Sequence, residues 1–219
     1  MDASMGTTRK FPVYLLLDCS SSMSGAPIIA VNEGLELLYK ELMKDPQAKE
    51  SVWISLIRFA TTASQDRLTP IDQFVPPTLS ASGSTAMGGA FQLLVNSIQQ
   101  DLTPKIGNQR GDFRPLVFLL TDGAPTDSWQ APVQQLHALT GSQRPTIVAL
   151  GCGGGVNANM LKQVTNEVYL MTNVTTDQLR AFFVQMSGSI GSASRAANAG
   201  GGANIASPAE LPGVIKYEP

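Results

Sequence analysis

Histidine and cysteine are scarce in this chain, whose 219 residues include one histidine and two cysteines. Zinc sites and redox pairs are built from clusters of these residues, so the composition argues against both classes of site. Cys19 and Cys152 each follow an apolar segment that we predict to be a strand. The two strands should lie two steps apart in the sheet, or about 9–10 Å at ~4.8 Å per step. A disulfide requires Cα atoms within about 7 Å, so we predict two free thiols.

Charge of one sign and long apolar runs are also missing. Lysine and arginine number 15 and aspartate and glutamate 17, for a formal net charge of −2. The basic residues are scattered along the chain, so we expect no nucleic-acid partner. No apolar stretch approaches the ~18 residues that span a bilayer, and residues 1–10 lack the apolar core of a secretory signal. We therefore expect a cytoplasmic protein without a membrane partner.

Apolar and amphipathic segments alternate along the chain, which is typical of an α/β fold. Short apolar runs predict strands that are buried on both faces, and a less apolar segment that contains Pro70 predicts an edge strand. The strands are expected at residues 11–17, 52–59, 63–74, 115–120, 146–150 and 168–171. We predict a doubly wound, mostly parallel six-stranded sheet in the order 3-2-1-4-5-6, with one antiparallel edge strand and flanking helices.

The first helix, predicted from about Ala26, has an apolar stripe that we expect to pack on the core. Gly34 lies inside this helix at a propensity cost of ~1 kcal/mol, which predicts a close approach of the helix to the sheet. One domain is expected over residues 1–194, followed by a flexible Gly/Ala-rich tail over residues 195–219. The alternative is that the end of the tail docks on the domain or on a partner, because it contains apolar residues such as Leu211 and Val214.

Polar oxygen ligands follow the first predicted strand directly. Asp18 stands at its carboxyl end, and the hydroxyls of Ser20 and Ser22 come two and four residues later. The carboxyl ends of central strands are where α/β sheets bind ligands, and hard cations such as Mg²⁺ prefer oxygen donors. Taken singly, Asp18 or Thr85 could instead cap a helix, and Asp122 with Gly123 could form a turn.

Three motifs occur in a set order: Asp-x-Ser-x-Ser at residues 18–22, Gly-Ser-Thr at residues 83–85 and Thr-Asp-Gly at residues 121–123. In this order, on alternating strands and helices, they resemble the von Willebrand factor A (VWA) family over residues 10–194. The resemblance implies a VWA/Rossmann-like fold and a metal-ion-dependent adhesion site (MIDAS). The implied ligands of a divalent cation are Asp18, Ser20, Ser22, Thr85 and Asp122.

The resemblance also implies how this site would be used. We expect Mg²⁺, with Mn²⁺ or Ca²⁺ as alternatives, and a protein partner that presents an Asp or Glu carboxylate to the ion. The expected rim around the ion consists of Met23, Gly25, Ala86 and Pro125. Residues 12–25 and 119–127 resemble most the stand-alone bacterial proteins of tellurite-resistance clusters, the TerY type. This similarity implies a stress-response adaptor whose partner could be a kinase or phosphatase of the same gene cluster.

An enzyme is the alternative function class, as a phosphoryl-transfer or hydrolytic activity at the same cation. A haloacid-dehalogenase-type phosphatase needs a second Asp where this chain has Ser20, and no G-x-S-x-G nucleophile elbow is present. The single histidine, His137, lies in the middle of a predicted helix, and the glycines at residues 151–155 do not complete G-x-G-x-x-G. We therefore predict that the protein is not an enzyme. A third hypothesis is a structural subunit in which the metal braces the loops.

Overall fold

The computed structural model describes residues 9–107, 109–172, 174–200 and 207–218. The expectation about a secretory signal concerns residues 1–10, of which 1–8 lie outside the described residues. The most glycine-rich part of the predicted tail, residues 201–206, lies outside them as well.

Strands and helices alternate through the described residues. The strands are β1 (Phe11–Asp18), β2 (Val52–Phe59), β3 (Ala63–Gln65), β4 (Thr69–Pro70), β5 (Leu116–Thr121), β6 (Thr146–Cys152), β7 (Glu167–Met171) and β8 (Val214–Lys216). The helices are α1 (Ala26–Lys44), α2 (Pro46–Ser51), α3 (Met87–Asp101), α4 (Gln130–Ala138), α5 (Ala158–Val164) and α6 (Thr176–Asn198). Short 3-10 turns occur at Ser21–Met23, Ile71–Gln73, Gly141–Gln143 and Pro208–Glu210.

The strands form one sheet in the order β3-β2-β1-β5-β6-β7-β8, and β4 also pairs with β2. Strands β2, β1, β5, β6 and β7 are parallel to one another. The predicted α/β fold and its order 3-2-1-4-5-6 are therefore confirmed, because the six predicted strands correspond to β3, β2, β1, β5, β6 and β7. The expected edge strand over residues 63–74 is in fact two short strands, β3 and β4, both antiparallel to β2.

The other edge of the sheet differs from the expectation. Helix α6 continues to Asn198, and β8 pairs antiparallel with β7, so both edges of the sheet are antiparallel. Val214 is buried in the core, and the amide of Tyr217 donates to the carbonyl of Val168 at 2.8 Å. The physical reason is that β7 would otherwise present unpaired backbone groups, which a strand covers. The flexible tail predicted for residues 195–219 is thus corrected for residues 207–218, where the docked alternative is found.

Both faces of the sheet are covered by helices. Alternate residues of β1 point into two different cores: Val13 and Leu15 pack with α1 and α6, whereas Tyr14 and Leu16 pack with α3, α4 and α5. All eight residues of β1 are buried. This burial places the polar end of β1 in the middle of a rigid scaffold.

Two further properties concern the cysteines and the helices. Cys19 and Cys152 are free, as predicted, and both are buried. Among the described helices, none has the length and apolar character required to cross a membrane.

Gly34 marks a close contact, but with a helix rather than with the sheet. A Cβ at this position would overlap the ring of Phe183 on α6. The approach of α1 to the sheet that was predicted from Gly34 is therefore corrected to an approach of α1 to α6. Helix α6 packs beside α1 on the same face of the sheet, so the missing side chain makes room for an aromatic ring.

We predict that Gly34→Ala destabilises the protein although alanine is the better helix former. Overpacking costs typically ~1–3 kcal/mol, against a propensity gain of up to ~1 kcal/mol. Gly188→Ala on α6 is the matched control, because a Cβ there meets nothing within 4 Å. Urea denaturation should show a lower unfolding free energy for the first variant and an unchanged or higher one for the second. Equal stability of the two variants would contradict the assigned role of Gly34.

Candidate metal centre

The predicted polar residues meet at the carboxyl ends of two adjacent central strands. Asp18 is the last residue of β1 and Thr121 is the last residue of β5, and these strands are direct neighbours. Asp122 follows on the loop after β5. The topology therefore places the first and third motifs together at the carboxyl ends of central strands, where α/β proteins bind ligands.

Asp18 is a buried carboxylate that is held by two donors. Its side chain is 0% exposed. One carboxylate oxygen, Oδ1, accepts a hydrogen bond from the amide of Ser20 at 2.8 Å, and the other, Oδ2, accepts one from the hydroxyl of Thr121 at 2.6 Å. These bonds fix the carboxylate and join the loop after β1 to the end of β5.

Ser20, whose amide binds this carboxylate, begins a chain of hydroxyl contacts that reaches the surface. The hydroxyl oxygens of Ser20 and Ser22 lie 3.0 Å apart, and the Ser22 hydroxyl donates to Oδ1 of Asp122 at 2.7 Å. Ser20 is buried, Ser22 is exposed and Asp122 is half-buried. The cluster thus has a buried inner end at Asp18 and an accessible outer end at Ser22 and Asp122.

Hydrogen bonds hold the second motif against the loops that follow β1 and β5. The amide of Ser21 donates to the carbonyl of Gly83 at 3.0 Å. The amide of Thr126 donates to the carbonyl of Thr85 at 2.9 Å, and the amide of Thr85 donates to the Thr126 hydroxyl at 3.1 Å. The Thr85 hydroxyl faces the turn after β5, because a Cβ built on Gly123 would lie 3.6 Å from its oxygen. The structure therefore brings all three motifs together.

The donor set fits a hard divalent cation. Ligands ~2.1 Å from an octahedral Mg²⁺ are about 3 Å from one another, and the Ser20, Ser22 and Asp122 oxygens already have separations of 3.0 and 2.7 Å. Within the residues that the structure describes, no group of three or more His, Cys, Asp or Glu side chains could hold a metal. A cation at this edge would therefore depend on the hydroxyl oxygens.

The electrostatics of the cluster also favour a cation. Burial raises the pKa of the Asp122 carboxyl above its ordinary value, and although the hydrogen bond from Ser22 opposes this shift, the nearby charge of Asp18 adds to it. Two carboxylates in a partly desolvated site repel each other. A divalent ion between them would remove that repulsion.

The expected rim is only partly accessible. Met23 is 1% exposed and belongs to the core beneath α1, and Ala86 is 8% exposed at the start of α3. These two residues are therefore corrected from rim to supporting positions, because the 3-10 turn after β1 and the first turn of α3 direct them inward. Gly25 is exposed and Pro125 is half-buried, so both remain available for contact.

Two residues near the site have roles that the motifs did not predict. Thr121 binds Asp18, as described above. Asp127 caps α3 from a distant loop, since its two carboxylate oxygens accept the amides of Gly88 and Gly89 at 2.8 Å each. Thr85 makes no side-chain cap to this helix, so its hydroxyl is not used in a capping hydrogen bond. Thr121 could have been found from its place in Thr-Asp-Gly, but no local pattern pairs Asp127 with α3.

Comparison with known proteins gives a consistent family match. A family model described as von Willebrand factor type A domain matches residues 13–189. No curated protein sequence matches the chain. One similar solved structure is a von Willebrand factor type A protein from Catenulispora acidiphila, with 16% identity, a TM-score of 0.63, and coverage of 84% of this chain and 43% of that one.

Two further solved structures share the fold. The pilus adhesin SpaC from Lactobacillus rhamnosus GG is 13% identical, with a TM-score of 0.66 and coverage of 84% of this chain and 31% of that one. Proximal thread matrix protein 1 from the mussel byssus, with a zinc-occupied MIDAS motif, is 18% identical, with a TM-score of 0.55 and coverage of 83% and 48%. This chain spans less than half the length of each of these proteins.

We predict that Asp127→Ala lowers the unfolding free energy by about 1–2 kcal/mol, because the first turn of α3 loses its charged cap. Asp177→Ala is the control, since that side chain is 92% exposed in the first turn of α6 and, among the residues that the structure describes, pairs with Arg180 alone. The control should cost no more than ~0.5 kcal/mol. Chemical denaturation of both variants provides the measurement, and equal losses would rule out a special role for Asp127.

Proposed function

Because this chain belongs to the von Willebrand factor type A domain family, we propose that its cluster at the ends of β1 and β5 binds a divalent cation and captures a protein partner. Domains of this family commonly use a MIDAS for protein–protein interaction. The proposed ligands are Asp18, Ser20, Ser22, Thr85 and Asp122. The observation that supports this set most strongly is a connected series of hydrogen bonds: the Ser20 amide donates to Asp18, and the Ser20 hydroxyl contacts that of Ser22, which donates to Asp122.

Magnesium is the proposed ion, with Mn²⁺ and Ca²⁺ as alternatives. All five proposed ligands are oxygen donors, and hard cations favour such a shell. Zinc occupies the MIDAS of the mussel protein named above, so the identity of the ion that this chain binds has to be measured directly. Once bound, the cation would supply a Lewis-acidic attachment point for an external oxygen.

The proposed external ligand is an Asp or Glu side chain of the partner. Asp18 and Asp122 supply the charged ligands of the set, while its three hydroxyls are neutral, so a bound ion would retain affinity for a further carboxylate. Ser22 and Asp122 form the accessible side of the cluster, and Gly25 and Pro125 lie on the same exposed loops. This surface would contact the partner around the captured carboxylate.

An interaction role is favoured over catalysis by the groups that surround the cluster. Burial raises the pKa of the Cys19 thiol to about 11 and also raises that of Cys152, so neither is a ready nucleophile. The ring of His137 contacts the carbonyl of Val164 at 3.0 Å, at the end of α5 and away from this edge. A nucleophile or general base must be both reactive and placed within reach of the substrate. The two buried thiols fail the first condition and His137 fails the second.

The broader role that we propose is a cytoplasmic adaptor in a bacterial stress-response system of the tellurite-resistance type. It is supported by the similarity of residues 12–25 and 119–127 to the TerY-type proteins. A kinase or phosphatase from the same gene cluster is the partner that this similarity suggests.

We predict that Asp18→Asn abolishes specific binding of Mg²⁺ and Mn²⁺ in calorimetric titrations. Asparagine removes the charge but keeps an acceptor, whereas alanine would leave the Ser20 amide and the Thr121 hydroxyl unpaired in a buried site. Asp112→Asn is the control, because Asp112 is equally a buried carboxylate that accepts two amides, from Lys10 and Thr103. Undiminished metal binding by the Asp18 variant would contradict the proposed ligand set.

We also predict that chelation and Thr85→Ala each weaken the same partner complex. Losing the contact between the cation and the partner's carboxylate is expected to cost ~2–5 kcal/mol, or about 30-fold or more in affinity, as for other buried charge pairs. Thr85→Ser, which keeps the hydroxyl, should retain binding. Replacing the partner's Asp or Glu should cost as much as chelation, and combining both changes should add little, because each removes the same bond.

The measurement is capture from native lysate on the immobilised protein, with and without EDTA and with Mg²⁺ restored, followed by affinity measurement on the captured partner. A complex whose affinity is the same with and without EDTA would show that the metal only braces the loops. Metal-dependent hydrolysis of phosphate esters that is lost in Asp122→Ala would favour the enzyme alternative instead.

A further inference from the structure

We call the carboxyl ends of β1 and β5, with the cluster around Asp18 and Asp122, the metal edge. A groove lies at the opposite end of the sheet. It has a volume of about 500 Å³ and lies at the amino ends of β6 and β7, beside α4 and α5. The seven residues of β6 separate the two ends by roughly 20 Å at ~3.3 Å per residue. The groove is lined by Arg114, Leu136, His137, Arg144, Pro145, Thr146, Ile147, Lys162, Gln163, Val164, Thr165, Asn166 and Glu167.

The groove is positively charged although the chain as a whole has a net charge of −2. Arg114, Arg144 and Lys162 contribute three cations to its lining. The one carboxylate in the lining, Glu167, is engaged by the Lys216 amine at 3.0 Å and the Tyr169 hydroxyl at 2.6 Å. The cations of the groove therefore face no free carboxylate of its own lining.

Among the described residues, no side chain forms a salt bridge that would explain the placement of the two arginines. Lys162 lies in the last turn of α5, where a cation is favourable against the helix dipole. That explanation does not extend to Arg114 and Arg144, which lie outside the helices, in the segments that lead into β5 and β6.

We propose that this groove binds a phosphoryl group. Guanidinium groups match phosphate oxygens with two parallel hydrogen bonds, and two exposed arginines beside a lysine provide the charge that a multiply charged anion requires. The volume is in the usual range for a small-molecule site, about 300–1,000 Å³. A compact cavity of this kind suits one phosphorylated group rather than the continuous backbone of a nucleic acid.

The test uses the full chain, inorganic pyrophosphate as the probe, and EDTA in every sample so that no divalent ion links the probe to the metal edge. Calorimetry at constant ionic strength should show saturable binding. Arg114→Gln combined with Arg144→Gln should weaken it by about tenfold or more, because charge-assisted hydrogen bonds are lost. Arg67→Gln is the control, since Arg67 is exposed and is not part of the groove. It removes one positive charge, so its effect is compared with those of Arg114→Gln and Arg144→Gln taken singly.

Unchanged pyrophosphate binding in the double variant, an equal loss in Arg67→Gln, or no saturable binding to the unsubstituted protein would each overturn the proposal. Asp18→Asn should bind pyrophosphate normally, which separates this site from the proposed metal site. A neutral peptide with one phosphoserine, compared with its unphosphorylated form, distinguishes the source of the phosphoryl group. Tighter binding of the phosphopeptide than of pyrophosphate would identify a phosphorylated protein as the ligand, and the reverse order a small phosphorylated molecule.

Discussion

The buried carboxylate of Asp18 is the constraint on which the organisation of the metal edge depends. An ionised group at 0% exposure is costly unless it is paired and hydrogen-bonded. Here the Ser20 amide and the Thr121 hydroxyl supply those bonds, one from the loop after β1 and one from the end of β5. The same bonds direct Ser20 towards Ser22 and hence towards Asp122. The need to satisfy one buried charge therefore orders the loops that form the candidate site.

The surrounding scaffold keeps the hydroxyls of this edge free for a ligand. Serine and threonine near the start of a helix often cap it, but α3 is capped by Asp127 instead, and the 3-10 turn after β1 has no side-chain cap from Ser20. The hydroxyls of Ser20 and Thr85 are thus spared for other contacts. The loops that carry these hydroxyls can serve a ligand because the strands beneath them are buried on both faces and hold the loops in position.

Much of this arrangement could be predicted from the sequence because it has local causes. Apolar runs predicted the strands, and the order of three short motifs predicted which loops would meet. Three features had no local cause. Gly34 faces Phe183 on a helix that is distant in the chain, β8 docks because β7 is an open edge, and Met23 is buried in the core beneath α1 instead of lying on the rim. Each depends on a tertiary contact that spacing and propensity do not encode.

The basic groove extends the same reasoning to the opposite end of the sheet. Arg114, Arg144 and Lys162 are scattered in the sequence, and for that reason no basic patch was predicted, yet three separate loops and helices bring them to one cavity. Parallel strands have two chemically different ends. Strands β5 and β6 run from the groove to the metal edge, and the residues in the middle of both strands are apolar and buried. A claim of coupling between two sites rests on an element with two discrete arrangements, whereas β5 and β6 are almost completely buried between the helices. We therefore expect the two sites to bind their ligands independently, so that one domain could hold a carboxylate at one end and a phosphoryl group at the other.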